Sequence, residues 1–170
     1  MNQTLNALTK EELIELIIIY AKDWLAIDGV WFQSLEREYG MDEAMRHNCR
    51  AWEAYAPLEA RRLKEFLKLD EHPGLDGLAR ALKLSLYSFL NKYEIFIDGD
   101  TLIYRFLDCR VQTARARKNM PFHPCRPVGL LQNIGFAKTI DDRLTCECLS
   151  CFPEITDDTC SCSWKFILNR

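Results

Sequence analysis

The sequence predicts an α+β protein: an N-terminal helical layer of three helices followed by a small antiparallel sheet with one helix. Three observations predict it. Apolar residues recur at helical spacing through residues 10–90, and short β-rich runs broken by Gly- and Pro-containing turns begin near Tyr93. Seven of the eight cysteines fall in this second part. The expected organisation is a helical region, 1–92, and a Cys-rich α+β region, 93–170, packed as one compact unit.

The first helix is predicted over residues 10–39. Thr9 can cap free amides, Glu11 and Glu12 suit the positive end of the dipole, and Gly40 ends the run. Its expected buried stripe is Leu13, Leu16, Ile17, Tyr20, Trp24, Ile27, Trp31 and Leu35. A second helix opens at Asp42 and Glu43 and buries Met45, Cys49, Trp52, Ala56, Leu63, Phe66 and Leu67; Pro57 is expected to bend or divide it. His72-Pro73-Gly74 is a break, and Leu75, Leu78, Leu82, Leu86, Phe89 and Leu90 mark a third helix.

Glu94 to Ile97, a turn at Asp98-Gly99-Asp100, and Thr101 to Leu107 read as a β-hairpin. Its second strand is expected to run on through Cys109 and Val111 towards Arg117. A Pro-rich turn then leads into a helix over 128–139, with Pro127 suited to its first position. Two further strands are expected near 143–149 and 161–168.

Composition excludes several classes of function. At 170 residues, 48% hydrophobic and 28% charged, the chain has the makeup of one ordinary globular domain. A net charge of -3 and a pI near 5.7 argue against nucleic acid as partner. The N-terminus lacks the basic stretch of a signal peptide, and the run Leu16 to Tyr20 is far below the roughly 20 residues a bilayer requires. A cytoplasmic protein without a membrane partner is expected. In a reducing compartment, eight cysteines read as metal ligands or functional thiols before disulfides. There is no P-loop, no dinucleotide fingerprint, no G-x-S-x-G and no H-E-x-x-H.

The cysteines carry the chemistry. Cys148-x-x-Cys151 and Cys160-x-Cys162 resemble knuckles that hold zinc, and soft thiolates suit an iron–sulfur cluster equally. Strand periodicity puts Cys162, Trp164, Phe166 and Leu168 on one face, and Cys146 and Cys148 on one face of the partner strand. Cys125 precedes a predicted helix N-terminus, where a thiolate is favoured, so it is the first candidate for ligand or nucleophile. His123 can complete a Cys/His set, whereas Cys49 reads as core packing and His47 as surface.

Among polar residues, Asp28 beside Trp24 and Trp31, and Glu36 two turns on, are candidates for moving protons; the alternative is carboxylates that stay wet. Arg105, Arg110, Arg115, Arg117 and Lys118 form a locally basic segment. It can hold a carboxylate or phosphate, or simply be a solvated strand end. Arg110 and Gln112, expected on one strand face, are the members best placed to touch a ligand.

Trp24, Asp28-Gly29-Val30-Trp31, Glu36, Trp52, Cys109-Arg110-Val111-Gln112, Arg115, Pro124-Cys125, Gly129, Asp142-Arg143, Cys148-x-x-Cys151 and Cys162-x-Trp164-x-Phe166 together resemble an uncharacterised family of prokaryotic cytosolic proteins. That family is distantly similar to L-2-amino-thiazoline-4-carboxylic acid hydrolases and to the 4-vinyl reductase ligand-binding domain. The resemblance implies a helical layer joined to an α+β unit ending in a Cys-bearing hairpin. It also implies Cys109, Cys125, Cys148, Cys151 and Cys162 as the site cysteines, with Cys49, Cys146 and Cys160 as additions.

The expected function is a small-molecule-binding protein or a metal-dependent, hydrolase-like enzyme acting on a C–N bond. Those five cysteines would supply three or four ligands to zinc or iron, Asp28 and Glu36 would act in catalysis, and Trp24, Trp31, Arg110 and Gln112 would bind the ligand. The alternative is a non-catalytic redox or ligand sensor using thiols or an iron–sulfur cluster. Exposed aromatics on a long first helix also suggest a homodimer.

Overall fold

A computed structural model describes residues 3–169. A short helix α1 (Gln3–Asn6) precedes the 30-residue helix α2 (Lys10–Tyr39). Thr9 and Glu12 form a reciprocal capping box, the Thr9 amide donating to Glu12 Oε2 at 2.7 Å and the Glu12 amide to Thr9 Oγ1 at 3.2 Å. Gly40, at φ +84°, is the single residue between α2 and α3 (Met41–Phe66); such a reversal needs the freedom of glycine. Helix α3 runs unbroken through Pro57, so the expected division does not occur. Small residues let α3 lie close to α6, with Ala56, Ala60 and Ala137 fully buried.

The predicted third helix is shorter than its apolar spacing implied. Helix α4 (Gly74–Leu82) stops where the Ser85 and Ser88 hydroxyls both donate to the Leu82 carbonyl, at 2.8 and 2.6 Å, and a 3-10 turn (Leu86–Phe89) follows. Strands β1 (Tyr93–Asp98) and β2 (Thr101–Phe106) form the expected hairpin about Gly99, at φ +54°.

The expected extension of β2 through Cys109 is incorrect. The Lys92 amide donates to Asp108 Oδ1 (2.7 Å) and the Arg110 amide to Asn91 Oδ1 (2.9 Å). These bonds fold the chain back and start helix α5 (Arg110–Arg117). Cys109 is its N-cap residue, so Arg110 and Gln112 do not alternate along a strand. Helix α6 (Arg126–Ile140) forms as expected with Pro127 in its first turn, and strands β3 (Leu144–Cys151) and β4 (Cys162–Leu168) complete an antiparallel sheet of order β1-β2-β4-β3.

The main core lies between this sheet and α3, α4 and α6, centred on Leu78, Leu102, Ile140, Leu144 and Phe166. A second cluster of Phe32, Ala44, Met45, Trp52 and Val128 joins α2 to the rest. The buried stripe expected on α2 is largely not buried: Tyr20, Ile27 and Trp31 are 63%, 63% and 67% exposed, whereas Ala21 and Phe32 point inward. Periodicity locates an apolar stripe but not the partner that covers it, and α3 covers the neighbouring face. Among the described residues, no helix is long and apolar enough to cross a membrane.

Candidate ligand cavity and thiol centre

A cavity of about 190 Å³ opens between α2 and α3 on one side and α6 and the sheet on the other. Asp28, Phe32 and Trp52 form its helical wall, and Cys125, Cys151, Cys162 and Trp164 face them. Cys109 and Arg110 line it as well. Most of its exposed lining area is apolar, with polar groups including Asp28, Asn48, Arg110 and His123 among the lining residues, a combination suited to a small-molecule site.

Strand register explains how sulfur reaches this wall. Cys146 lies opposite Phe166 and Cys148 opposite Trp164, so both share the inner face. Simple alternation would turn Cys151 outward. A β-bulge between Cys148 and Ser150 inserts Leu149 as an extra residue, and Cys151 returns to the inner face directly opposite Cys162. The C-x-x-C spacing therefore works on a strand only because the strand is bulged. Cys125 arrives from another element: the Arg126 amide donates to the Phe152 carbonyl (2.9 Å), holding the start of α6 against the end of β3.

Cys151 is the hub, with the thiols of Cys125, Cys148 and Cys162 around it. Contact with Cys125 raises its pKa first and burial adds to this, while contact with Cys162 works the other way. The Cys162 thiol is likewise pushed well up, first by Cys151 and then by burial. Cys109 is raised by burial, partly offset by the Gln112 and Val111 amides at the start of α5. Burial also raises Cys148, against the nearby Arg126.

Side-chain N–H groups are directed at these sulfurs. Gln112 Nε2 donates to Cys125 Sγ at 3.2 Å, and Trp164 Nε1 donates to Cys162 Sγ at 3.3 Å. His123 Nδ1 lies 3.2 Å from Cys125 Sγ, and Asn48 Nδ2 faces its Nε2 at 3.3 Å. Since the amide can only donate, a neutral ring carries its proton on Nδ1 and gives Cys125 a second donor. Burial, then Arg115, hold the His123 pKa down to about 4, so the ring is neutral at physiological pH. Gln112 also spans the backbone of His123, donating to its carbonyl (2.8 Å) and accepting from its amide (3.0 Å). The ligand-binding residue expected from sequence is thus a buried brace behind Cys125.

The two carboxyl candidates part company. Glu36 accepts two bonds from Arg115, at 2.7 and 2.6 Å, and Arg115 is 3% exposed. Those bonds hold the Glu36 carboxyl below its usual range, and it does not line the cavity. It ties α2 to α5 and is not placed to move protons. Asp28 lines the cavity with no hydrogen bond from any described residue, and burial raises its pKa against the opposing pull of His123. Asp28 also lies in an open outer groove with Trp24, Ile27 and Trp31. Trp24 stacks on Tyr55 and meets Trp52 edge-on, each at 5.6 Å, and neither Trp24 nor Trp31 lines the cavity itself.

The remaining cysteines are elsewhere. Cys160 lies against Asp157, its thiol 3.5 Å from Oδ2; Cys49 packs on the second cluster, and burial pushes the Cys146 thiol up to about 12. A tetrahedral zinc thiolate site spaces its sulfurs about 3.8 Å apart. Among the described residues, the group with three potential donor atoms all within 4.8 Å of one another is His72, Asp141 and Asp142. The thiols instead branch from Cys151, so closing them on one ion requires side-chain rotation. Asp141 is committed to structure, accepting from Arg143 at 3.0 and 2.8 Å and from the Gly74 amide at 2.9 Å.

Sequence reasoning offered His123 as a member of a Cys/His set and Arg115 as part of a basic segment, but missed Asn48 and the pairing of Arg115 with Glu36. A usable signal was present in the pairing of a polar Gln112 with His123-x-Cys125. No curated protein matches the chain. A family model does match residues 6–168, and the chain belongs to that family, DUF6125, a family of unknown function.

Proposed function

We propose that the protein binds a small molecule in the cavity and that Cys125, Cys151 and Cys162, with Cys148 or Cys109 as the nearest additional thiols, hold a soft metal ion, zinc or iron, in its wall. The observation that carries this reading is convergence. Thiols from α6, β3 and β4, distant in sequence, line one cavity, and N–H donors from three further side chains surround them. Such donors favour anionic sulfur and support metal–thiolate bonds from behind. A bound zinc or iron would supply a Lewis acid or an electron-accepting centre facing the cavity. Asp28, whose carboxyl pKa burial raises, would face the ligand from the opposite wall.

A second reading is favoured by the direct opposition of Cys151 and Cys162 on neighbouring strands and by the branched arrangement of the thiols. Here the pair is a redox sensor. Two thiols pass two electrons and two protons to a small disulfide oxidant, which leaves as two thiols, and a Cys151–Cys162 disulfide remains.

Elemental analysis of anaerobically purified protein, prepared without chelator, separates the two readings. Near-stoichiometric zinc or iron that is lost in Cys125→Ser and kept in Cys146→Ser supports the metal site. Metal-free wild type that forms the Cys151–Cys162 disulfide reversibly supports the sensor and overturns the metal reading.

A further inference from the structure

The outer face of α2 carries more uncovered apolar surface than a single chain has use for. Leu13, Ile17, Tyr20, Trp24, Ile27 and Trp31 are spaced alternately four and three apart, the repeat of a coiled-coil seam. The body of the protein covers Phe32 and Ala21 but leaves Ile17, Tyr20, Ile27 and Trp31 between 48% and 67% exposed, with Ile14 and Val30 exposed beside them. The groove of Trp24, Ile27, Asp28 and Trp31 lies on this seam, so the outer side of Asp28 is open in a single chain.

We infer that α2 pairs antiparallel with α2 of a second copy across a two-fold axis, and that the partner's Ile17 fills the groove beside Asp28. Three features select a second copy as occupant. The seam is self-complementary: antiparallel pairing sets Tyr20 against Trp24, Ile17 against Ile27 and Leu13 against Trp31 of the other chain. Exposed Ile17, Tyr20, Ile27 and Trp31 lie in one line along the helix, an uncovered apolar strip of the kind that marks an interaction surface. The same pairing carries the acidic first turns, Glu11 and Glu12, towards the other chain's Gln33, on which Lys118 already rests at 3.3 Å. An anionic lipid surface fits less well, since Glu11, Glu12, Glu15 and Asp23 outnumber Lys10 and Lys22 along this part of the helix.

The ligand cavity is therefore a property of the dimer: each chain supplies the thiol wall and Asp28, and the other copy covers the groove behind that carboxyl. The inference does not depend on the metal reading, because molecular mass and metal content are measured separately. Light scattering on the full chain at tens of micromolar is expected to give twice 19.9 kDa. Tyr20→Glu and Ile27→Glu are expected to weaken dimerisation by about thirtyfold or more with unchanged circular dichroism, while Ile19→Glu, off the seam, leaves the dimer intact. A wild type of 19.9 kDa overturns the inference, as does a dimer that survives both seam substitutions. Co-sedimentation of a monomeric chain with phosphatidylglycerol vesicles would assign the seam to lipid instead.

Discussion

The two walls of the cavity are built by opposite rules. The thiol wall sits on the main core: β3 and β4 are paired along their length, Trp164 lies over the backbone of α6, and Cys151 is buried. The helical wall is α2 backed by Trp52 of α3; α2 buries only Ala21 and Phe32 and is held by Trp24 on Trp52 and Tyr55, by the Glu36–Arg115 pair and by Phe32 against the His123 ring, 4.6 Å apart. A site made this way keeps its chemistry rigid on one side. The other side is held by a few identifiable contacts, so it is the part expected to open first.

The largest effect is expected from cutting the helical wall loose. Arg115→Leu leaves Glu36 without its partner and removes the bond to the Pro121 carbonyl, for a loss of about 3–5 kcal/mol in denaturant unfolding. The double variant Glu36→Leu/Arg115→Leu should recover much of this, because no charge is then stranded. Equal losses in both would show that packing, not the pair, holds α2.

On the thiol wall, Gly129→Ala places a Cβ 2.6 Å from Trp164 Cη2 and Cζ2. The indole must shift, at a net cost of about 1–2 kcal/mol after the helix propensity gain of alanine. Its movement carries Nε1 away from Cys162 and removes a donor that favours the thiolate, so thiol reactivity at Cys162 should fall. Unchanged reactivity would separate the tryptophan from the centre.

Acid should act on the two carboxyls of α2 in opposite senses. The folded Glu36 pKa is lowered, so its stabilisation is complete above the unfolded value of 4.5 and is lost as pH falls through the folded value. The folded Asp28 pKa is raised, so its contribution is present below the unfolded value of 3.8 and is lost as pH rises through the folded one. Asp28→Asn should therefore raise the thermal midpoint at pH 7 more than at pH 3.5, and Glu36→Gln should lower it more at pH 7 than at pH 3. The smallest change is expected outside both walls: Cys146→Ser should keep the properties of the centre, whereas Cys125→Ser should not.

Much of this architecture was legible in the sequence. The capping pattern at Thr9, the Gly40 stop, the hairpin about Gly99 and the start of α6 at Pro127 are local signals, and each element they mark forms. What local patterns do not carry is the identity of neighbours. Arg110 and Gln112 read as strand residues because the Asn91 and Asp108 side chains that turn the chain there lie outside the apolar pattern. Trp31 and Ile27 read as core because an apolar stripe carries no label for what covers it. The convergence of Cys125 on Cys151 depends on a bulge at Leu149 and on Arg126 meeting Phe152, neither of which has a spacing signature.

The strand order β1-β2-β4-β3 also sets a sequence of events for biosynthesis. Strands β2 and β3 are never neighbours; each waits for β4 to enter between them. Until then the chain displays two unsatisfied edges, and the Cys162 sulfur has not joined those of Cys125 and Cys151. A ribosome paused ahead of β4 would hold a nascent protein prone to edge-to-edge association and missing one arm of its thiol cluster. Chaperone demand and loading of the centre are thus both timed by the insertion of a single strand.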